Sequence, residues 1–406
     1  MMTMKLNFWG IYMTDKICVL PWVHTEFTTD GTANPCCLYK GDPMGNLKEE
    51  NFLDVWNGDS YTNLRKEFLD GKKPKGCAMC WEGEDAGYQS KRLQDNKRFE
   101  RQLKEIKEQQ NFIATDPPKY LDLKFGTLCN LKCRTCGSIN SSKWQTDEKK
   151  LYGRILNKKD PLWIIKNPNV WDELFEIMHT VEQMDFTGGE PFMIEEHFEL
   201  LRRTVEAGHA EHISLHYNTN GTIRPPQKIF DLWKEFKSCE VMFSLDGIFK
   251  KFEYMRHPAK WDEAWSNYNH FKSLDWMHVQ VCHTVSLYNV YYLDEFIDLF
   301  GRENIYLNLL HFPRQYCIRN MPDVCKEKVA DKLINIPDID DIILFMNQEA
   351  QYDKLDMGFL HVTEKLDNIR NESYSETFSE FYRILIDGGI GREPWTVKQY
   401  FRPIGE

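Results

Sequence analysis

No stretch of this 406-residue chain approaches the roughly 18 uninterrupted apolar residues of a membrane-spanning helix, so none is expected. Residues 1–16 lack the basic start, apolar middle and small-residue cleavage site of a secretory signal, and the expected compartment is the cytoplasm. Internal repeats and low-complexity tracts are absent, which excludes solenoids and fibrous arrays. Basic charge is in deficit: 51 Lys and Arg stand against 62 Asp and Glu, a formal net charge of -11. That balance disfavours unaided binding to nucleic acid, and with it an RNA-modifying enzyme, or to an anionic membrane surface. Cysteine, by contrast, is plentiful. Twelve cysteines are many for a reducing compartment, where metal ligation is the usual reason to keep them.

Three of them, Cys129, Cys133 and Cys136, follow an alternating apolar run at 120–125 that reads as a strand. The thiols therefore sit on a loop at the C-terminal end of a strand, where α/β barrels place their chemistry. Zinc commonly takes four ligands, and this loop has no fourth Cys or His nearby. Three thiolates on a four-iron cluster would leave one iron open to a substrate or cofactor. An iron–sulfur cluster, zinc and plain structural thiols all remain open on spacing alone.

Cys129-x3-Cys133-x2-Cys136 after one strand, then Thr187-Gly188-Gly189-Glu190-Pro191 after the next, resembles the radical S-adenosylmethionine (SAM) superfamily. The resemblance implies a 4Fe–4S cluster on the three cysteines, SAM on its open iron, and an external one-electron donor such as flavodoxin or ferredoxin. It implies reductive cleavage of SAM to a 5′-deoxyadenosyl radical, which abstracts a hydrogen atom from a substrate. The chain departs from the family at Thr135, where an aromatic or apolar residue usually precedes the third cysteine.

Residues 15–90 hold a second constellation. A hairpin turning at Asp30-Gly31 would bring Cys18 and Cys36 together at its open end, and Cys77-x2-Cys80 supplies a knuckle. Hairpin plus knuckle is also how zinc ribbons are built, and spacing alone serves zinc and a cluster equally. The pattern Cys18-x12-Gly31-x4-Cys36 with Cys77-x2-Cys80 is similar to Twitch and SPASM auxiliary modules, which implies a second 4Fe–4S cluster, here N-terminal to the core. With four ligands evident, a single Twitch-like cluster is expected. Cys37 is left over and is expected to be a buried thiol; Cys239, Cys282, Cys317 and Cys325 are expected to be structural.

From residue 120, strands at 120–125, 183–187, 213–218, 241–246, 279–286 and 305–311 alternate with helical patterns. The expected fold class is α/β: a partial (β/α)6 TIM-like barrel with a small cysteine-rich hairpin/knuckle domain before it and a helical extension after it. The expected division is 1–90 auxiliary cluster domain, 91–118 linker helix, 119–311 partial barrel and 312–406 helical extension. The segment 141–169 is expected to be a long surface loop.

A glycine pair lets backbone approach a ligand, and a neighbouring carboxylate can hold an ammonium. In the family, Gly188, Gly189 and Glu190 would bind the SAM amino group. By the same resemblance Asn218, Asn220, Ser244, Asp246 and Arg256 are candidates for the SAM pocket. His283, Thr284, Ser286, Asn289 and His24 are weaker candidates, and no proton acceptor is named. The function expected is oxidative modification of a peptide or small molecule; the alternative is a non-catalytic zinc- or cluster-stabilised binding protein.

Overall fold

The computed structural model describes residues 16–85, 89–158, 160–349 and 358–390; expectations for 1–15, 86–88, 159, 350–357 and 391–406 lie outside the described residues. Strands β1 (His24–Phe27), β2 (Thr32–Asn34), β3 (Gly45–Asn46), β4 (Tyr120–Leu123), β5 (Gln183–Phe186), β6 (Ser214–Thr219), β7 (Ser238–Ser244), β8 (His278–Val285) and β9 (Ile305–Leu309) form one sheet. Its order is β3-β2-β1-β4-β5-β6-β7-β8-β9. The run β4 to β9 is parallel throughout, as the six expected strands require.

The cysteine hairpin is not a separate layer. β1 pairs parallel with β4, His24 opposite Tyr120 and Phe27 opposite Leu123, and so adds a seventh parallel strand. Nothing local in the sequence announces this pairing across some ninety residues.

Side-chain alternation sets the two faces. Leu215 and Tyr217 of β6, Val241 and Phe243 of β7, and Val279 and Val281 of β8 are buried against the surrounding helices. The intervening residues, among them His216, Asn218, Met242, Ser244, Cys282 and Thr284, face inward and line a cavity. The barrel interior is therefore polar, which a packed core would not be.

The helical extension forms its own core. Helices Asp323–Leu333, Asp340–Met346, Phe359–Arg370 and Ser379–Asp387 bury Leu333, Phe345, Leu366 and Leu385 against Tyr288 and Tyr316. Phe381 stacks on Tyr291 with ring centroids 5.1 Å apart. The expected linker helix is two helices, Lys91–Arg98 and Glu100–Gln109, broken at Phe99. The segment 141–169 is not a bare loop: it contains the helix Trp144–Tyr152. Among the described residues no helix is long and apolar enough to cross a membrane.

Candidate metal centre and cofactor cavity

β4 ends at Leu123, and the chain then folds over the barrel mouth as the three-cysteine loop. Its backbone is pinned on both sides. Lys132 N donates to His257 O and Arg134 N to Met255 O, each at 2.8 Å, and the Trp144 indole donates to Cys133 O at 2.9 Å. Cys129, Cys133 and Cys136 all line one cavity of about 580 Å³. Burial pushes the Cys129 thiol up to about 12, with Cys133 adding to it, and raises Cys136 through burial and both of its neighbours. Three buried or half-buried thiols on one cavity, two of them raised by their cysteine neighbours, fit a cationic inorganic group, which would hold them as thiolates. Donors already face the sulfurs: Leu131 N to Cys129 at 3.4 Å, and the Arg256 guanidinium to Cys133 at 3.8 Å.

The expected cofactor residues divide into two sets. Gly188, Gly189, Asn218, Asn220, Ser244 and Arg256 line the cavity with the three cysteines. Gly188 has φ +102°, and a Cβ on Gly189 would stand 2.0 Å from Leu128 O, so the cysteine loop can lie on this turn only if no side chain is there. Asn220 Nδ2 is 2.8 Å from Asn130 Oδ1 and 3.9 Å from Cys129 Sγ.

Glu190 and Asp246 lie beneath the lining instead, both fully buried. Glu190 accepts from Thr219 Oγ1 and Asn220 N at 2.8 Å and from Phe192 N at 3.3 Å, so it ties the end of β5 to the end of β6. Burial raises its carboxyl to about 7, although these donors pull it back. Asp246 pairs with Arg256 at 2.8 Å and accepts from Thr284 N at 2.9 Å, aiming the guanidinium at Cys133. Of the weaker candidates only Thr284 lines the cavity. His283 is a core residue, with its ring 4.1 Å from Phe296 and Nδ1 3.0 Å from Leu245 O. Ser286 and Asn289 close a turn beyond β8. His24 faces Tyr120 edge-on at 4.3 Å, with Nδ1 2.9 Å from Pro35 O.

Cys18 precedes β1, Cys36 follows β2, and Cys77 and Cys80 flank the start of the helix Ala78–Asp85. These thiols are neighbours. Burial and then Cys77 and Cys80 raise Cys18; burial raises Cys36, with Cys37, then Cys18 and Cys77 adding to it. Among the described residues no three His, Cys, Asp or Glu side chains are close enough to grip a single metal ion. Arg65, fully buried, fastens this region: it donates to Pro21 O at 2.8 Å, Trp56 O at 2.9 Å and Asn57 Oδ1 at 2.8 Å, between the rings of Trp56 and Tyr61. Two thiol expectations need correction. Cys37 is exposed on the turn after β2, within electrostatic reach of Lys91, Asp122, Lys124 and Glu26; Cys282 lines the cavity, because it sits on the inward face of β8. Cys239, Cys317 and Cys325 are buried as expected.

Two functional features escaped sequence reasoning. The C-terminal helices buttress the cysteine loop: buried Arg134 pairs with Asp367 at 2.6 Å and Glu372 at 2.5 Å and lies 3.8 Å over the Tyr254 ring. Lys132 and Arg370 both grip Asp147, at 2.7 and 2.8 Å. His216 is the other; period-two alternation in β6 could have placed it on the inward face beside Asn218.

Two family models match stretches of the chain. Residues 123–301 match the model of the radical SAM superfamily, and residues 18–81 match SPASM, an iron–sulfur cluster-binding domain, which thus precedes the radical SAM region. No curated protein matches the chain. Among solved structures it resembles native anSMEcpe with bound AdoMet, at 15% identity and a TM-score of 0.39 over 53% of this chain and 59% of that one. It also resembles Streptococcus suis SuiB bound to S-adenosylmethionine, at 12% identity and a TM-score of 0.37 over 69% of this chain and 64% of that one. SuiB bound to precursor peptide SuiA gives 15% identity and a TM-score of 0.35 over 71% and 64%. The chain spans less than two thirds of each of these structures.

Proposed function

We propose that this chain is a cytoplasmic radical SAM enzyme that removes hydrogen from a peptide substrate, with a small molecule as the other substrate class its cavity could take. The observation that carries the reading is the single cavity lined at once by Cys129, Cys133, Cys136, the Gly188-Gly189 turn and Arg256. Bound there, a 4Fe–4S cluster would supply the electron that cleaves SAM reductively, drawn from a flavodoxin or ferredoxin. The protein's own part is positioning. Three thiols would hold the cluster, the backbone of Gly188 and Gly189 with Asn218, Asn220 and Ser244 would hold the nucleotide, and Arg256, fixed by Asp246, would meet its carboxylate. Glu190 sets the turn from below.

Cys18, Cys36, Cys77 and Cys80 would ligate one Twitch-like auxiliary 4Fe–4S cluster whose irons are all held by protein, so that it can exchange electrons but not bind substrate. SPASM-type modules are common in peptide-maturing enzymes, which is why a peptide comes first.

Anaerobic reconstitution followed by dithionite and SAM tests the reading. The expected product is 5′-deoxyadenosine, lost in Cys133→Ala. Wild-type protein should carry about eight irons and Cys18→Ser about four. Zinc in place of iron, or no 5′-deoxyadenosine from iron-loaded wild type, would refute it.

A further inference from the structure

Inside the barrel one row of titratable side chains runs in register across adjacent strands. Glu26, Asp122, Asp185, His216, Glu240 and His278 are paired neighbour to neighbour. Of these, His216 alone lines the cavity. Its Nδ1 lies 2.7 Å from Glu240 Oε2, and the other oxygen of that carboxylate is 2.6 Å from Nδ1 of His278, which is exposed. Nε2 of His216 meets the amide Nδ2 of Asn218, another lining residue, at 3.2 Å.

A carboxylate on Nδ1 fixes the neutral imidazole in the tautomer that carries hydrogen on Nδ1. The lone pair is then on Nε2, beside Asn218 on the cavity side. The Asn218 amide can donate to that lone pair and, after a flip, accept from the same nitrogen once protonated. Removing two hydrogens from a substrate requires one of them to leave as a proton, and the cavity then needs a base.

We infer that His216 is the proton acceptor of this cavity and that Glu240 and His278 are positioning residues for it. The inference rests on the proposed reading that a substrate lies in the cavity beside the nucleotide. In the step, the substrate radical left by hydrogen-atom abstraction loses its second hydrogen: that bond breaks, the proton goes to Nε2 of His216, the bonding pair stays on the substrate, and the one surplus electron passes to a one-electron acceptor, the role the proposed auxiliary iron–sulfur cluster would fill. The imidazolium formed is paired with Glu240. The surroundings favour that charge: burial opposes it, but Glu240 from β7, Asp185 from β5 and Asp122 from β4 outweigh burial and raise the imidazole above its ordinary value of 6.5.

Diethyl pyrocarbonate acylates only a neutral, reachable imidazole nitrogen, and peptide mass spectrometry reads the modification at each histidine. On the full-length, iron-reconstituted protein, labelling of His216 should rise with pH through a midpoint above 6.5. Glu240→Gln should lower that midpoint by about half a unit or more, because it keeps the hydrogen bond and removes the charge. Saturating SAM should slow the labelling severalfold. A midpoint that Glu240→Gln leaves in place would overturn the inference. So would labelling indifferent to SAM in a protein that binds it by equilibrium dialysis. A protein that binds no SAM overturns the proposed function instead, and the midpoint alone then decides the role of His216.

Discussion

Glu190 offers a test of the site that needs no cofactor. Its carboxyl is fully buried and raised from 4.5 to about 7, chiefly by burial. Below pH 4.5 the group is protonated in both folded and unfolded chains and contributes nothing to the pH dependence. Between 4.5 and 7 the unfolded chain ionises while the folded one keeps its proton, so the wild type loses stability as pH rises. Holding the proton from 4.5 up to about 7 corresponds to a loss of about 3 kcal/mol, fully expressed above pH 7. Glu190→Gln cannot ionise and escapes that loss. It incurs another: its carbonyl can keep two of the three donors, Phe192 N, Thr219 Oγ1 and Asn220 N, while its amide faces the third. A donor left facing a donor in a buried site costs about 1–3 kcal/mol at any pH. The variant should therefore be less stable than wild type near pH 4.5 and draw level or pass it by pH 8. Urea unfolding followed by tryptophan fluorescence across that range reads the difference. Two stability curves that run parallel within about 0.5 kcal/mol would refute the buried, proton-holding carboxyl and the strand-end tie built on it.

Arg134→Met should cost about 3–5 kcal/mol, because it strands Asp367 and Glu372, and Arg134→Met with Asp367→Asn should cost less than the single change; thermal unfolding of the set measures it. Gly189→Ala should lower iron uptake on reconstitution, since its Cβ would press Leu128 O out of place. Gly83→Ala, with nothing within 4 Å, should leave uptake unchanged in the same iron assay. Arg65→Met should destabilise by about 2 kcal/mol or more, leaving the buried carbonyls of Pro21 and Trp56 without their donor, with amide exchange rising first in the helix Asp59–Leu69.

Legibility in the sequence followed the range of the interaction that fixes each feature. β4 to β9 declared themselves because alternation is local: each strand must bury every second residue against helices. The three cysteines and the glycine pair were legible because they follow strand ends within a few residues. Range explains the misses as well. The helix Trp144–Tyr152 looked like loop because its sequence has little apolar stripe; it is held by Asp147 between Lys132 and Arg370, and by Glu148 accepting from Ser138 N at 2.9 Å. The grip of Arg134 on Asp367 spans 233 residues and has no local signature. Glu190 and Asp246 were readable as polar residues at strand ends. Whether each faced the cavity or sat beneath it depended on donors from the next strand.

The N-terminal placement of the auxiliary cysteines has a geometric explanation in the parallel pairing of β1 with β4. Strand pairing, not chain order, decides where a module sits, and β1 takes the place beside β4 that a strand of the barrel would take. The consequence is polarity. Cys18 lies before β1 and Cys36 after the antiparallel β2, so both mark the N-terminal end of the barrel strands; Cys129 follows β4 and marks the C-terminal end. The four paired residues, three rises of about 3.3 Å, put about 10 Å of strand between the ends that carry the two thiol sites. The polar interior, with Lys124 bridging Glu26 of β1 and Asp122 of β4 at 2.5 and 2.7 Å, fills the interval. A single continuous sheet holds that spacing rigid, whereas a module on a flexible tether would let it vary. The Lys124–Glu26 ion pair across the β1–β4 seam, with the strand pairing itself, therefore ties one cysteine site to the other.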